Sequence, residues 1–387
     1  MTAAHSLTGS ELSRRFHEEA VRPLLLARWP RLPYAAGRLG HGSEVLGLDD
    51  AMSRDHDWGP RLSLFVPDEL RGPVDAALEA DLPTEFLGLP TRFTFTGSSR
   101  TRHRVDVDTP RGFVLDRLGF DPVDDPGPVD WLSLTGQAVL EVIAGPVFVD
   151  RTGELTRRRD ALAWYPDDIW RYIVAAGWQR LDQELPLMSR AADRGDETGS
   201  RLIAARLAGV VTHLAFVLSK RWAPYSKWRG TLFDRLPGVE PLRTHVDAML
   251  DADAWPERQS ACARALDALL DRQESAGLGR PAPHATAAFW DRPYLQIAPE
   301  IIPALAAERS SAEPTCAVPT RPTGPSGPGG PTVPTLPPGV GSVEQLTDTV
   351  DLLVDPARRR AVVAAAVAAG QIFVTPSMTP REPTRHH

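Results

Sequence analysis

Cysteine is almost missing: the 387 residues hold two, Cys262 and Cys316. Two thiols are too few for a disulfide framework or a cysteine-rich zinc site. An excess of positive charge is missing too. The formal net charge is −7, so the chain as a whole generates no basic field to draw in nucleic acid or an anionic membrane. Long apolar runs are also lacking. Ala361 to Gly370 is the longest near the C-terminus, well short of a membrane span. The N-terminal MTAAHSLTGSELSRR carries no apolar stretch of the secretory kind. The expectation is a cytoplasmic protein with no membrane partner. Apolar residues at 42% and charged residues at 24% are normal for a chain with a real core, and the length suggests two or three domains.

The pattern changes along the chain. Ser10 can cap a helix running to about Trp29, with Leu12, Phe16, Ala20 and Leu24 on one stripe. Residues 34–66 read as strand, turn, short helix, strand. Residues 68–80 read as helix, and 91–96 and 104–108 as strands. Residues 1–150 therefore form a mixed strand-and-helix domain. Residues 151–311 are expected to form a helical domain, with no convincing strand from 151 to 308. Tyr165-Pro166-Asp167-Asp168 opens one long helix, a second spans 199–222, and more helix follows at 240–275 and 297–308. Residues 312–342 place proline at every third position from 319 to 337. That period matches polyproline II, and the composition suits a linker or a docking peptide for a proline-binding partner. Residues 343–387 hold short helical patterns and a disordered end. The fold class expected is α+β, with an N-terminal mixed-sheet domain, a helical-bundle domain and a Pro-rich tail.

One stretch carries chemistry: GHGSEVLGLDDAMSRDHDWGPRLSLFV, residues 40–66. On a strand, side chains at i and i+2 share a face, so Asp55 and Asp57 would project together while His56 points away. Two adjacent carboxylates repel unless a cation separates them. Mg²⁺ suits them, because it prefers carboxylate, water and phosphate oxygens. Upstream, Gly42-Ser43 at a strand-to-helix turn lets backbone N–H groups approach an anion such as phosphate. A phosphate cradle followed by a metal-binding pair is the layout of phosphoryl or nucleotidyl transfer.

This stretch resembles the signature of the DNA polymerase β-like nucleotidyltransferase superfamily: a hydrophobic strand, Gly-Ser, a gap, then Asp-x-Asp. More closely, the chain resembles an uncharacterised bacterial family, domain of unknown function 4037. The likeness runs through DHDWGPRL, GELTRRRDALAWYPDDIWRYIV, RGDETGS and KRWAPYSKWRGTLFDRLP, from the N-terminal helix to about residue 300. It is similar in layout to kanamycin nucleotidyltransferase. The resemblance implies an enzyme that moves a nucleoside monophosphate from a triphosphate, such as ATP, to an acceptor hydroxyl with Mg²⁺. It implies a third carboxylate on a neighbouring strand. Asp106 and Asp108 in RHRVDVDTP are the candidates, with Asp106 preferred because it lies between two valines. The metal and catalytic set is then Asp55, Asp57 and Asp106.

In KRWAPYSKWRG, Lys227 offers a charge for a triphosphate and Tyr225 a ring for a base; both are placed in the helical domain. Two other readings stand beside this one. The chain can be a non-catalytic nucleotide- or partner-binding protein on the same fold. Alternatively, Arg206 and His213 on one helix face match the loose Arg-x4-6-His pattern of HEPN-type ribonucleases, provided both are open to a cleft. Arg190, Asp193, Arg194 and Asp196 read as a charged inter-helix loop, and Trp164, Trp170 and Trp178 as helix packing.

Overall fold

The computed structural model describes residues 7–54, 58–94, 99–307 and 336–372. The chain divides into two units. The first comprises residues 1–166, 220–235 and 350–357; the second comprises 167–219, 236–349 and 358–387. The fold class expected from sequence is the one found: a mixed sheet in the first unit and a mainly helical second unit. The boundaries differ, because residues 151–166 and the KRWAPYSKWRG segment belong to the first unit and not to the helical one.

The first unit opens with α1 (Gly9–Phe16), which Thr8 and not Ser10 caps, its side chain accepting from Glu11 N–H. One π-helical turn (His17–Val21) leads into α2 (Arg22–Arg28). Then come β1 (Ala35–Gly37), β2 (Leu62–Phe65) and α3 (Arg71–Asp81). Two short hairpins follow: β3 (Glu85–Phe86) with β4 (Leu89–Pro90), and β5 (Arg92–Thr94) with β6 (Thr101–His103). Next are β7 (Val105–Asp108), α4 (Pro110–Leu118), α5 (Pro128–Leu132), α6 (Gly136–Ile143), β8 (Val147–Asp150) and α7 (Glu154–Ala161). After α8 (Asp167–Asp193) and α9 (Glu197–Leu218) of the second unit, the chain returns to the first with α10 (Ser226–Phe233).

The main sheet has the order β7-β2-β1-β8. β1 is antiparallel to β2 and β8, and β2 is parallel to β7. Alternation sorts its side chains. Leu62 and Leu64 of β2 and Val105 of β7 enter a core shared with Leu12, Phe16 and Leu25 of α1 and α2 and Val74 and Leu78 of α3. On the opposite face, Phe65 meets Phe113 of α4 edge-on at 5.0 Å. β2 begins at Leu62, so the strand alternation used to pair Asp55 with Asp57 does not extend to them; Asp55, His56 and Asp57 lie outside the described residues.

The second unit packs α8 and α9 with α11 (Glu240–Asp251), α12 (Trp255–Ser275) and α13 (Ile301–Ala307). Trp170 of α8 donates from its indole to Val217 O of α9 at 2.9 Å, and Trp178 donates to Gln273 Oε1 of α12 at 2.6 Å. Both are helix-packing tryptophans, as expected. The reading of 151–308 as strand-free is wrong at one place: the second unit holds a hairpin, β9 (Thr286–Ala288) with β10 (Leu295–Ile297). The linker reading is wrong at its C-terminal end. Leu336 is buried, the Tyr172 hydroxyl donates to Pro337 O at 2.7 Å and accepts from Gly341 N–H at 3.2 Å. Further on, α14 (Val343–Leu346) buries Val343, α15 (Val350–Leu353) follows, and α16 (Pro356–Ile372) is a 17-residue helix, not a short segment. The remaining prolines, from 319 to 334, lie outside the described residues.

Candidate active site

β1 ends at Gly37, and the chain turns through Arg38 to Ser43 into a single 3₁₀ turn, Ser43–Val45. Gly40 and Gly42 have φ of +81° and +133°, a range that side-chain-bearing residues rarely adopt. A Cβ on Gly42 would also lie 2.6 Å from Glu44 Cδ and 2.7 Å from Arg38 Nη2. The turn rests on a buried ion network. Glu44 Oε1 accepts from Arg38 Nη2 at 2.6 Å and faces Arg61 Nη1 at 3.4 Å. Burial alone would raise the Glu44 carboxyl, but the charges of Arg38 and Arg61 outweigh it and hold it below its ordinary value. Arg38 Nη2 also donates to His41 O, and Ser63 Oγ of β2 donates to Leu39 O at 3.3 Å. The Leu39 and His41 carbonyls of the turn are thus engaged by side chains.

The outer side is different. Among the described residues, the backbone N–H groups of His41, Gly42 and Ser43 donate to nothing, and the three residues are exposed or half-buried. Three successive amides without an intramolecular acceptor are donors that an anion could take. The short 3₁₀ turn adds little dipole, so the cradle works through individual N–H groups and not through a helix end. Ser43 Oγ lies 3.1 Å from Ser53 Oγ, and the Ser53 amide donates to Asp50 Oδ1 at 2.9 Å.

The sheet register brings Asp106 to the same edge. Gly37 pairs with Ser63, and Ser63 with Asp106. The three form one row on the face away from the core, near the N-terminal end of β2. Asp106 is exposed and makes no hydrogen bond or ion pair among the described residues. Asp108, the competing candidate, is occupied: Oδ1 accepts from Thr109 N–H at 2.8 Å and faces Arg71 Nη2 at 3.3 Å. Among the described residues, no three of His, Cys, Asp and Glu come together as a metal site, and Asp55 and Asp57 are not among those residues.

Tyr225 and Lys227 are held on the first unit by an aromatic column. Trp222 lies 4.4 Å from Tyr165 and 4.8 Å from Trp164, and Trp131 lies 6.2 Å from Tyr165. The Trp222 indole donates to Leu162 O at 3.0 Å. Gly136 fits because its α-carbon meets backbone: a Cβ there would be 2.7 Å from Ala223 N. Tyr225 remains 43% exposed, and Lys227 is exposed with Nζ 4.7 Å from the Trp228 ring centre. The Ser53 amide and hydroxyl hold the Asp50 carboxyl below its usual value, and the Lys227 charge adds to that pull.

Residues 131–229 match the family described as Domain of unknown function (DUF4037). The DUF4037 match is shorter than the resemblance read from sequence, which reached from the N-terminal helix to about residue 300. It contains Gln137, Glu141, the aromatic column, Tyr225 and Lys227, and it excludes the glycine turn and Asp106. Among solved structures, the chain is similar to a nucleotidyltransferase-like protein from Exiguobacterium sibiricum 255-15, at 13% identity and a TM-score of 0.33, over 67% of this chain and 76% of that one. No curated protein matches the chain.

The ribonuclease-type reading fails on geometry. Arg206 donates to Glu184 at 2.8 Å, and His213 is 12% exposed with Nε2 3.6 Å from Glu344 Oε2. Arg206 is exposed, but His213, which the reading needs open, is mostly buried. Arg190 and Asp193 share the Tyr294 hydroxyl, and Asp196 caps α9 through Gly199 N–H. Sequence reasoning missed Arg38, Glu44, Arg61, Arg117 and Glu141. Glu44 directly follows Gly42-Ser43, and a carboxylate buried there needs cations; the arginines flanking the turn and β2 were the available signal.

Proposed function

We propose that the protein is a Mg²⁺-dependent nucleotidyltransferase. The observation that carries this reading is the placement, at one end of the sheet, of the His41–Ser43 amides and the Asp106 carboxylate, none of which has a hydrogen-bond or ion-pair partner among the described residues. The amides and the Ser43 hydroxyl would hold the triphosphate, with Lys227 adding charge and Tyr225 a stacking surface for the base. Asp55 and Asp57, with Asp106, would hold Mg²⁺. Asp106 fits that task, being an exposed hard oxygen donor with no hydrogen-bond or ion-pair partner on its carboxylate among the described residues. Bound there, the ion would neutralise charge building on the phosphate oxygens. An acceptor hydroxyl would form a new bond to the α-phosphorus as the bond to pyrophosphate breaks, its proton passing to a carboxylate. The substrates on this reading are a nucleoside triphosphate, with ATP the first to try, and a small-molecule or protein acceptor.

The test is calorimetric titration with each of the four nucleoside triphosphates in the presence of Mg²⁺, then mass spectrometry of candidate acceptors. Saturable, Mg²⁺-dependent binding and an added nucleotide on an acceptor support the reading. Binding without transfer to any acceptor would favour the non-catalytic alternative, and absence of binding would remove both.

A further inference from the structure

The two stretches assigned to the nucleotide lie far apart in sequence, yet one side chain joins them. Glu141, near the end of α6, accepts Gly40 N–H with its backbone carbonyl at 2.7 Å. Its Oε2 is 3.4 Å from His41 Nδ1 and 3.6 Å from Arg117 Nε. Its Oε1 accepts from Gln137 Nε2 at 3.3 Å, and Gln137 Oε1 in turn accepts Tyr225 N–H at 3.4 Å. Gln137 and Glu141 are one turn apart, so amide and carboxylate stack on one helix face. Arg117 Cζ sits over the Phe113 ring, 3.8 Å from its centre, and Arg117 Nη2 would lie 3.0 Å from a Cβ on Gly40. Burial alone would raise the Glu141 carboxyl, but bonding to His41 and Gln137 and the Arg117 charge hold it lowered. The group is therefore an ionised hub, and Arg117 offsets the repulsion it would exert on a phosphate.

We propose that Glu141 is a positioning residue that fixes the Gly40–Ser43 turn relative to Tyr225–Lys227, so that both close on one nucleoside triphosphate. The ligand in this statement rests on the nucleotidyltransferase reading; the link between the two stretches does not. A carboxylate that only filled space would leave the two stretches independent. As a hub, it makes them loosen together when its charge is removed.

The experiment is amide hydrogen exchange on the whole chain, paired with binding of α,β-methylene-ATP and Mg²⁺. Glu141→Gln is expected to speed exchange in both the 40–43 and 225–227 stretches and to weaken analogue binding about tenfold, the loss of one charge-assisted contact. Gln137→Ala is expected to speed exchange only at 225–227 and to weaken binding several-fold with an unchanged melting temperature. Acceleration by Glu141→Gln confined to one stretch overturns the proposal. If that variant does not fold, unchanged exchange at 225–227 in Gln137→Ala overturns it. If the unmodified protein binds no analogue, the nucleotide reading fails on its own and the exchange results alone decide the role of Glu141.

Discussion

Glu44 and Arg38 form a buried ion pair, 2.6 Å from Oε1 to Nη2, directly behind the glycine turn. Each side chain is under one-tenth exposed, so removing one charge leaves the other uncompensated in a low-dielectric interior. Glu44→Gln is expected to destabilise the fold by about 3–5 kcal/mol. Urea denaturation followed by circular dichroism measures it; a change below about 1 kcal/mol would mean that water solvates the pair.

Gly136 and Ala223 touch backbone to backbone. A methyl group at Gly136 has no flexible neighbour to displace, so Gly136→Ala must push the 220–235 segment away or distort α6. The expected cost is about 1–3 kcal/mol. The discriminating observation is tryptophan fluorescence, since Trp222 rides on that segment. A red-shifted spectrum is expected, and an unshifted one contradicts the packing described.

His17 is buried against Tyr34, its Nε2 3.1 Å from the phenolic oxygen. Burial lowers its pKa from 6.5 to about 4. The neutral form is thus favoured in the fold, so this stabilisation is full above the unfolded pKa of 6.5 and is lost as pH falls from there through about 4. Unfolding free energy should drop over that window by on the order of 2–3 kcal/mol. His17→Phe, which cannot titrate, is expected to flatten that part of the profile. Parallel profiles for the two proteins would assign the acid sensitivity elsewhere.

Cys262 is fully buried on α12, and burial pushes its thiol up to about 12. In a Cys316→Ser background, a thiol reagent is expected to leave the native protein unlabelled over minutes and to react fully in denaturant. Rapid native labelling would contradict the packing of α12.

The parts of this architecture that depend on local pattern were legible in the sequence. The glycine turn, α3, α8 and β7 announce themselves through glycine spacing, capping and alternation, and Asp106 stands out as a carboxylate between valines. The parts that depend on distant packing were not. Nothing local in KRWAPYSKWRG tells that Trp222 stacks on Tyr165 and so attaches the segment to the first unit. Thr286–Ala288 lacks the alternation of a strand and is one only because Leu295–Ile297 pairs with it. Leu336 to Ser342 has a linker's composition, but Tyr172 satisfies its backbone within the helical unit. Glu44 and Glu141 look like surface acids until their arginines are seen folded against them.

The account stands most directly on the choice between two aspartates on β7. The Asp106 carboxylate has no hydrogen-bond or ion-pair partner among the described residues, whereas Asp108 is tied to Arg71 and Thr109. The decisive measurement is transfer of α-³²P-labelled nucleotide with Mg²⁺ by Asp106→Asn, Asp108→Asn and Asp57→Asn, each checked for an unchanged fold. Loss of transfer by about 10²-fold or more for Asp57→Asn and Asp106→Asn, with Asp108→Asn within a few-fold of the unmodified protein, is the predicted result. Undiminished transfer by Asp106→Asn or Asp57→Asn would contradict it.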